Sequence, residues 1–547
     1  MIQVRAPQVS YVNEIVELVK VFYPKELVVS SQYIEIQANK KRNRTDKTRE
    51  EFDAISDMVL ETGYKMDEDS FSFFAYLQKG DKLICEHINS SSIQNFEDVS
   101  QSDNESNNEV TKNINTTTNK KTNINDSDNN HNNEHYKKSK RFIKNGLKGC
   151  VFDLLVKVTV KHPKWGAMTG IRPVKIVHEM TKLGLDEGNI RQELLSAYKL
   201  QPEKVDLVMK TARVQRPLID QPGNNKVSVY IHIPFCSTRC LYCSFPSDLI
   251  GRVSGKMDAY LDCLGKEIAY VIDELLIRGK EVDTIYIGGG TPTVLEYDHL
   301  ERLLKQVNEI ILSRFTILEY TVEAGRPDSL DRNKLQLMKN YGVTRLSINP
   351  QSMNQATLDL VGRSHTVEEI IQVYNMAREI GFDCINMDVI LGLPGETAKH
   401  MRRTMEGIAA LKPENITIHT LAMKRASVFK ESFQQYDISR KGLAEEMSAV
   451  CREWIENLGM EPYYLYRQKY MLDHLENVGY GLPGKECLYN IQFMHEKRDI
   501  WAFGAGASSK IYHSEEDRLE RVGNVKNLDE YLTRVDEMIE RKQKALQ

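Results

Sequence analysis

From Lys226 onward the hydrophobic positions fall into short β-rich runs separated by helical stretches. KVSVYIHI, DTIYIG, ILEYTVE, TRLSIN, INMDVIL and NITIHT read as strands, with helices such as DAYLDCLGKEIAYVIDELL and HLERLLKQVNEIIL between them. Strand and helix in alternation predict parallel strands joined by right-handed crossovers and covered on both faces. Six such units predict an α/β fold, a partial (βα)6 barrel over residues 221–438. In barrels the chemistry sits at the C-terminal ends of the strands, so each functional motif should begin where a strand stops.

The rest of the chain patterns differently. Residues 1–89 alternate strand-like segments such as YIEIQAN and FSFFAYLQ with amphipathic ones, and 141–215 resume with the apolar run CVFDLLVKVTV and helical periodicity. Together they predict one N-terminal α/β module. It is split by residues 90–140, where Asn, Ser, Asp, Thr and Lys replace the aliphatic side chains and burial cannot offset the entropy of ordering, as expected of a disordered insertion. The basic run Lys137, Lys138, Lys140, Arg141 and Lys144 closing it reads as a solvated linker end rather than a nucleic-acid contact. In KWGAMTGIRPVKI, residues Trp165, Gly166, Gly170, Arg172 and Pro173 predict a turn that opens a helix, a structural or a functional element alike. Residues 439–547 form a C-terminal α+β region expected to cover the barrel. Its stretch LPGKECLYNIQFMHEKRDIWAFGAGASSK suits closure over a flat macrocycle or packing against the open barrel edge.

At 547 residues the chain calls for two or three packed units. Its 73 basic and 77 acidic side chains leave a formal charge of −4, no field to draw nucleic acid or an anionic membrane. MIQVRAPQVSYVNEIVELVKVFYP lacks the apolar core of a signal peptide, and no run of apolar residues reaches membrane-spanning length. Nine cysteines, an odd number, argue for a reducing compartment, hence a cytoplasmic protein, over a disulfide framework. Cys85, Cys150, Cys263, Cys384, Cys451 and Cys487 are scattered and read as small buried hydrophobes, Cys487 least securely because it neighbours a Gly-rich turn.

The remaining cysteines stand together. CSTRCLYCSF follows the first barrel strand and places Cys236, Cys240 and Cys243 on one strand-exit loop, within reach of one polymetallic centre of iron–sulfur or zinc. A structural zinc needs a fourth ligand or a second pair, and none has suitable spacing. Gly288-Gly289-Gly290-Thr291-Pro292-Thr293 leaves the second strand, where missing Cβ atoms let backbone approach a ligand or simply allow a tight turn. Glu323, Asn349-Pro350-Gln351 and Asp388 put polar groups at or near later strand ends. Buried polar groups cost free energy unless partnered, so they read as cofactor ligands: Glu323 for an ammonium, Asp388 for ribose hydroxyls, Gln351 for amide-type hydrogen bonds. Arg363, in VGRSHT, offers a guanidinium to a carboxylate or pairs with a surface glutamate. His419, Lys424 and Arg425 close the sixth unit and suit an acidic substrate, although a lone histidine is more often structural.

YIHIPFCSTRCLYCSF, IYIGGGTPT, TVEAGRP, RLSINPQSM, LVGRSH and NMDVILGLPGET, in this order, resemble the radical SAM oxygen-independent coproporphyrinogen dehydrogenase family. KWGAMTGIRPVKI, IHTLAMKRAS, YYLYRQKYM and WAFGAGASSK resemble its HemZ branch. The resemblance spans about residues 150–512. It implies a 4Fe–4S cluster on Cys236, Cys240 and Cys243, with an open iron binding S-adenosyl-L-methionine (SAM). A 5′-deoxyadenosyl radical then takes hydrogen from a propionate that is decarboxylated to vinyl. Carried over by position, it makes Tyr230, Tyr242, Gly289, Gly290, Thr291, Glu323, Gln351, Arg363, Asp388 and Ala422 SAM contacts. It also implies a tetrapyrrole substrate or haem as partner and an electron donor such as flavodoxin or ferredoxin. One departure is Phe245, where the best-known dehydrogenases carry another cysteine and some haem chaperones carry phenylalanine. A haem-trafficking protein is therefore a second expectation, and radical SAM RNA modification, raised by the added N-terminal module, a third.

Overall fold

The structure, a computed structural model, describes all residues except 1, 7–8, 24–27, 31–57, 67–69, 80–81, 93–127, 220–224, 244, 246, 423–441 and 470. The segment YIEIQAN and the residues Lys424 and Arg425 lie outside the described residues. The chain divides into two compact units, residues 1–170 with 179–206, and 171–178 with 207–547.

The first unit is a five-stranded sheet with helices packed on it. Its strands are β1 (Ile2–Arg5), β2 (Val28–Ser30), β3 (Met58–Met66), β4 (Ser70–Lys79) and β5 (Lys82–Ser92), in the order β2-β1-β3-β4-β5. β1 runs parallel to β2 and β3, whereas β3, β4 and β5 form an antiparallel meander. Ile2, Val4 and Leu60 of the sheet meet Ile15 and Leu18 of the helix Val9–Phe22 and Leu147 and Leu154 of the helix Asp128–Thr159 in one buried apolar core. That second helix begins inside the stretch expected to be disordered to residue 140, and it absorbs the apolar run CVFDLLVKVTV as far as Thr159. The period of Leu147, Val151, Leu154 and Leu155 on one face is what makes it helical.

The second unit is built on an eleven-stranded sheet. Six parallel strands form its centre: β6 (Lys226–Ile233), β7 (Glu281–Gly289), β8 (Glu319–Glu323), β9 (Arg345–Ser347), β10 (Ile385–Leu391) and β11 (Asn415–Thr420). Each pairs with the next in chain order, and the crossovers are helices such as Met257–Ile277 and Val367–Ile380. The latter starts at a Thr366/Glu369 capping box and stops at Gly381 in the left-handed conformation. β12 (Glu461–Tyr466) and β13 (Asn477–Gly481) extend the β11 side antiparallel. On the other side β14 (Ile500–Phe503) lies parallel to β6, followed by antiparallel β15 (Ser508–His513) and β16 (Arg518–Gly523). WAFGAGASSK therefore packs on the barrel edge, one of its two expected positions.

The central strands are not buried alike on both faces. Val229, Ile231, Ile285, Ile287, Tyr320 and Val322 are buried apolar side chains, whereas the alternate positions read Ser228, Tyr230 and His232, then Tyr286, then Glu319, Thr321 and Glu323. The polar face extends through Ser347, Asn386, Asp388, Thr417 and His419. It is held together by hydrogen bonds from Asn386 Nδ2 to Ser347 Oγ (2.8 Å) and from Thr417 Oγ1 to Asn386 Oδ1 (2.9 Å). The strands are covered on both faces, as expected, but the two coverings differ: one face packs on helices and the other is a polar, aromatic interior.

Candidate functional site

The cysteine loop is fixed at both ends by the strands it leaves and meets. After β6 the residues Phe235–Cys236 pair with Asp248–Leu249, and Asp248 N–H donates to Pro234 O at 2.8 Å. The glycine loop docks on the same segment, with Gly290 N–H on Ile233 O (2.8 Å) and Thr291 N–H on Phe235 O (2.7 Å). That approach needs glycine: a Cβ on Gly290 would stand 2.4 Å from Phe235 O, and one on Gly289, whose φ is +114°, would stand 2.1 Å from His232 Cδ2. Thr291 Oγ1 then lies 3.8 Å from Cys236 Sγ.

Cys236, Cys240 and Cys243 are free and partly exposed on this loop. Burial raises the Cys243 thiol pKa, the Phe245 backbone N–H opposes it, and the charges of Cys240 and Cys236 raise it further, so the three sulfurs feel one another. Among the described residues no three His, Cys, Asp or Glu side chains are gathered tightly enough for a single metal ion. A cluster with bridging sulfides of its own spreads its thiolates wider than one ion does.

The next strand ends face this loop. Glu323 Oε1 accepts from Tyr286 OH at 2.7 Å and Oε2 from Gly289 N–H at 3.2 Å. Burial pushes its carboxyl up to about 7 against the Tyr286 hydrogen bond, and the nearby Asp388 adds to the rise. Tyr230 is stacked among Tyr286, His232 and Tyr489, and burial holds its phenol well above the ordinary range. Gln351 is buried at φ +64°, its N–H on Asp388 O (2.9 Å) and its Oε1 without a partner among the described residues. Asp388 Oδ1 accepts from Asn386 at 2.7 Å, and Oδ2 stands 3.5 Å from His419 Nε2, whose Nδ1 is 3.5 Å from Tyr466 OH. His419 thus shares the interior with Asp388.

Arg363 is 5% exposed, which excludes a surface Arg–Glu pair. Its Nη1 donates to Tyr242 OH (2.9 Å), and its Nη2 to Gly325 O (2.7 Å) and Asn349 O (2.9 Å), tying three strand exits together. Its Nε has no partner among the described residues. Ala422 ends the arc by backbone pairing with Met471. Cys487 is buried and donates to Glu319 Oε1 at 3.2 Å, at the opposite end of β8 from Glu323.

Several participants were not picked out from the sequence. Tyr286 and Asn386 wire the expected ligands together, Tyr489 arrives from the C-terminal region, and Arg326 reaches the cysteine loop. The period-two polar positions of the strands were the available signal for the first two. Nothing local marks Tyr489 or Arg326.

A parallel barrel with a three-cysteine loop after its first strand and a glycine loop after its second defines a radical SAM protein, and residues 230–408 match the Radical SAM superfamily. The chain is 37% identical over 415 residues to the oxygen-independent coproporphyrinogen-III oxidase-like protein HemZ of Bacillus subtilis, spanning 75% of this chain and 82% of that protein. It belongs to the HemZ/HemN-like radical SAM family. It is also 31% identical over 293 residues to the haem chaperone HemW of Bacillus subtilis, covering 52% of this chain and 71% of that one. Similarity to the oxygen-independent coproporphyrinogen III oxidase of Escherichia coli is 34% over 196 residues, 36% of this chain and 42% of the relative. The solved structure of Escherichia coli coproporphyrinogen III oxidase (HemN) matches with a TM-score of 0.46 at 24% identity, over 60% of this chain and 73% of that chain.

The family's cofactors are a 4Fe–4S cluster and SAM. The residues present fit both. Three partly exposed thiols supply soft donors, and the glycine loop, docked on Ile233 and Phe235, brings Thr291 Oγ1 beside them. Gln351 Oε1 and Arg363 Nε are buried polar atoms still in need of partners.

Proposed function

We propose that this chain is an oxygen-independent coproporphyrinogen III dehydrogenase of haem and porphyrin biosynthesis, in which two propionates become vinyls. Each propionate gives up a hydrogen atom, carbon dioxide and one electron. The observation that carries this reading is the reach of the similarity, which covers 82% of the coproporphyrinogen-oxidase-like HemZ relative and so includes the regions beyond the barrel. The cluster and SAM supply hydrogen-atom abstraction. In this reading Cys236, Cys240 and Cys243 hold the cluster. Tyr230, Tyr242, Gly289, Gly290, Thr291, Gln351 and Ala422 line the SAM site. Glu323 takes its ammonium, Asp388 its ribose, and Arg363 its carboxylate through Nε. A flavodoxin or ferredoxin is the electron donor. The protein works in the cytoplasm, a placement supported by its odd number of cysteines.

Anaerobic assay of the reconstituted protein with SAM, a reductant and coproporphyrinogen III tests it. Vinyl products are expected. SAM cleavage without them would overturn the reading. Phe245 favours a second reading, a haem-binding chaperone, because its ring is 62% exposed beside Cys243, open to a flat macrocycle. Stable haem binding by absorption spectroscopy, with no porphyrinogen turnover, would establish that reading instead.

A further inference from the structure

Arg326, three residues past the end of β8, is 4% exposed and is aimed at the cysteine loop. Its Nη1 donates to Thr238 Oγ1 at 2.7 Å and to Thr238 O at 3.3 Å, and stands 3.7 Å from Cys240 Sγ. The opposite edge of the guanidinium is gripped by Asp328, Nε to Oδ1 and Nη2 to Oδ2, both at 3.1 Å. Nη2 also reaches Ser364 Oγ at 3.3 Å. Asp328 in turn faces the His365 ring at 3.5 Å and the Ser237 hydroxyl at 3.4 Å. A planar fork can hold a bidentate carboxylate on one edge and present a charged N–H on the other; a lysine cannot do both. Asp328 and Ser364 take the Nε and Nη2 donors, so the two Nη1 N–H groups are shared between Thr238 and the Cys240 sulfur.

We infer that Arg326 is a positioning residue that sets how readily a cluster held through Cys240 is reduced. Outer-shell donors tune a metal centre through its ligands, and hydrogen bonds to cluster sulfurs are one of the levers on reduction potential. A cation beside Cys240 favours the state that carries the added electron. Asp328, on the far edge of the guanidinium, opposes it with its own charge. The reduction adds one electron and no proton, and breaks no bond. The inference rests on Cys240 being a cluster ligand, as proposed above.

The test is an EPR-monitored titration of the reconstituted full chain, with dithionite supplying the electron. In Arg326→Gln the reduction equilibrium should move at least tenfold against the reduced form, a potential about 59 mV lower for one electron. Asp328→Asn should move it the other way. A loosened loop would disturb both variants in the same sense, so opposite signs are the mark of a charge effect. Unchanged potentials at matched iron content overturn the inference, and so do shifts of the same sign. Should Arg326→Gln melt far below the wild-type chain without its cluster, Asp328→Asn decides alone: a raised potential supports the inference, and any other result overturns it. Cys240→Ala reports separately on the ligand assignment. If it kept full iron content and cluster absorbance, that assignment would fail whatever the potentials of the other variants.

Discussion

Glu323 sits where burial and hydrogen bonding pull in opposite directions. Burial wins and holds the carboxyl near 7, above the ordinary value of 4.5. The folded chain therefore keeps a proton that the unfolded chain releases on rising from about pH 4.5 to 7, so this group's contribution to stability is lost as pH rises through that window and stays lost above it. Glu323→Gln should leave the cofactor-free chain unchanged at pH 4 and make it about 2 kcal/mol more stable at pH 8, a figure trimmed for the partial exposure of the side chain. Urea unfolding at the two pH values checks this, and equal effects at both would refute it. A bound ammonium would reverse the balance by releasing that proton, so SAM affinity should climb with pH up to neutrality. At this scale the placement was legible: the cysteines, glycines and carboxylates singled out from the sequence do lie at or near strand ends. Arg326 was not legible: its partners Thr238 and Cys240 lie on a different strand exit, 88 and 86 residues away in sequence.

The helix Leu488–His495 borrows its cap from another element. Its first N–H groups, on Leu488 and Tyr489, donate to Glu319 at 2.8 and 3.0 Å, and Arg345 Nε holds that carboxylate at 3.3 Å. Both charges are buried. The cap sets Tyr489 against Tyr286, ring centroids 4.6 Å apart, and Tyr286 in turn holds Glu323. Glu319→Ala leaves Arg345 without its carboxylate and the helix end without its acceptor, at a cost of about 3–5 kcal/mol. Thermal melts measure the loss, and a change below about 1 kcal/mol would show that the helix end finds water instead. The six central strands were readable from their β-branched runs. This helix was not read as a separate element. Its residues LYNIQFMH have no clear apolar stripe because all sides of the helix are engaged, and its capping residue is 169 positions away.

Across the second unit, the C-terminal segments close what the barrel strands begin. Lys542 and Glu267 form an ion pair at 2.6 Å with no exposure on either side. Glu267 also accepts from Gly504 N–H (2.9 Å), Tyr531 OH (2.7 Å) and Asn524 Nδ2 (2.8 Å). Lys542→Met strands that carboxylate and should cost about 3–5 kcal/mol. Adding Glu267→Gln, which keeps an acceptor but no charge, should restore most of it. A double-mutant cycle from urea midpoints measures this, and additive losses would refute the pairing. Fold class and the six central strands could be read along the chain. The place of β14 beside β6 could not, since no local pattern announces a pairing between residues so far apart. That pairing has a consequence for synthesis. His232 Nδ1 meets its acceptor, Ala505 O, 273 residues later in the chain. The strand that carries the cysteine loop is thus among the first of its unit to leave the ribosome and among the last to have its outer edge covered. Until then it is an unpaired edge exposed to wrong partners. Iron should therefore load stably only on chains whose synthesis has passed β14, and ribosome-stalled chains ending before Ile500 should bind it poorly although all three cysteines are present.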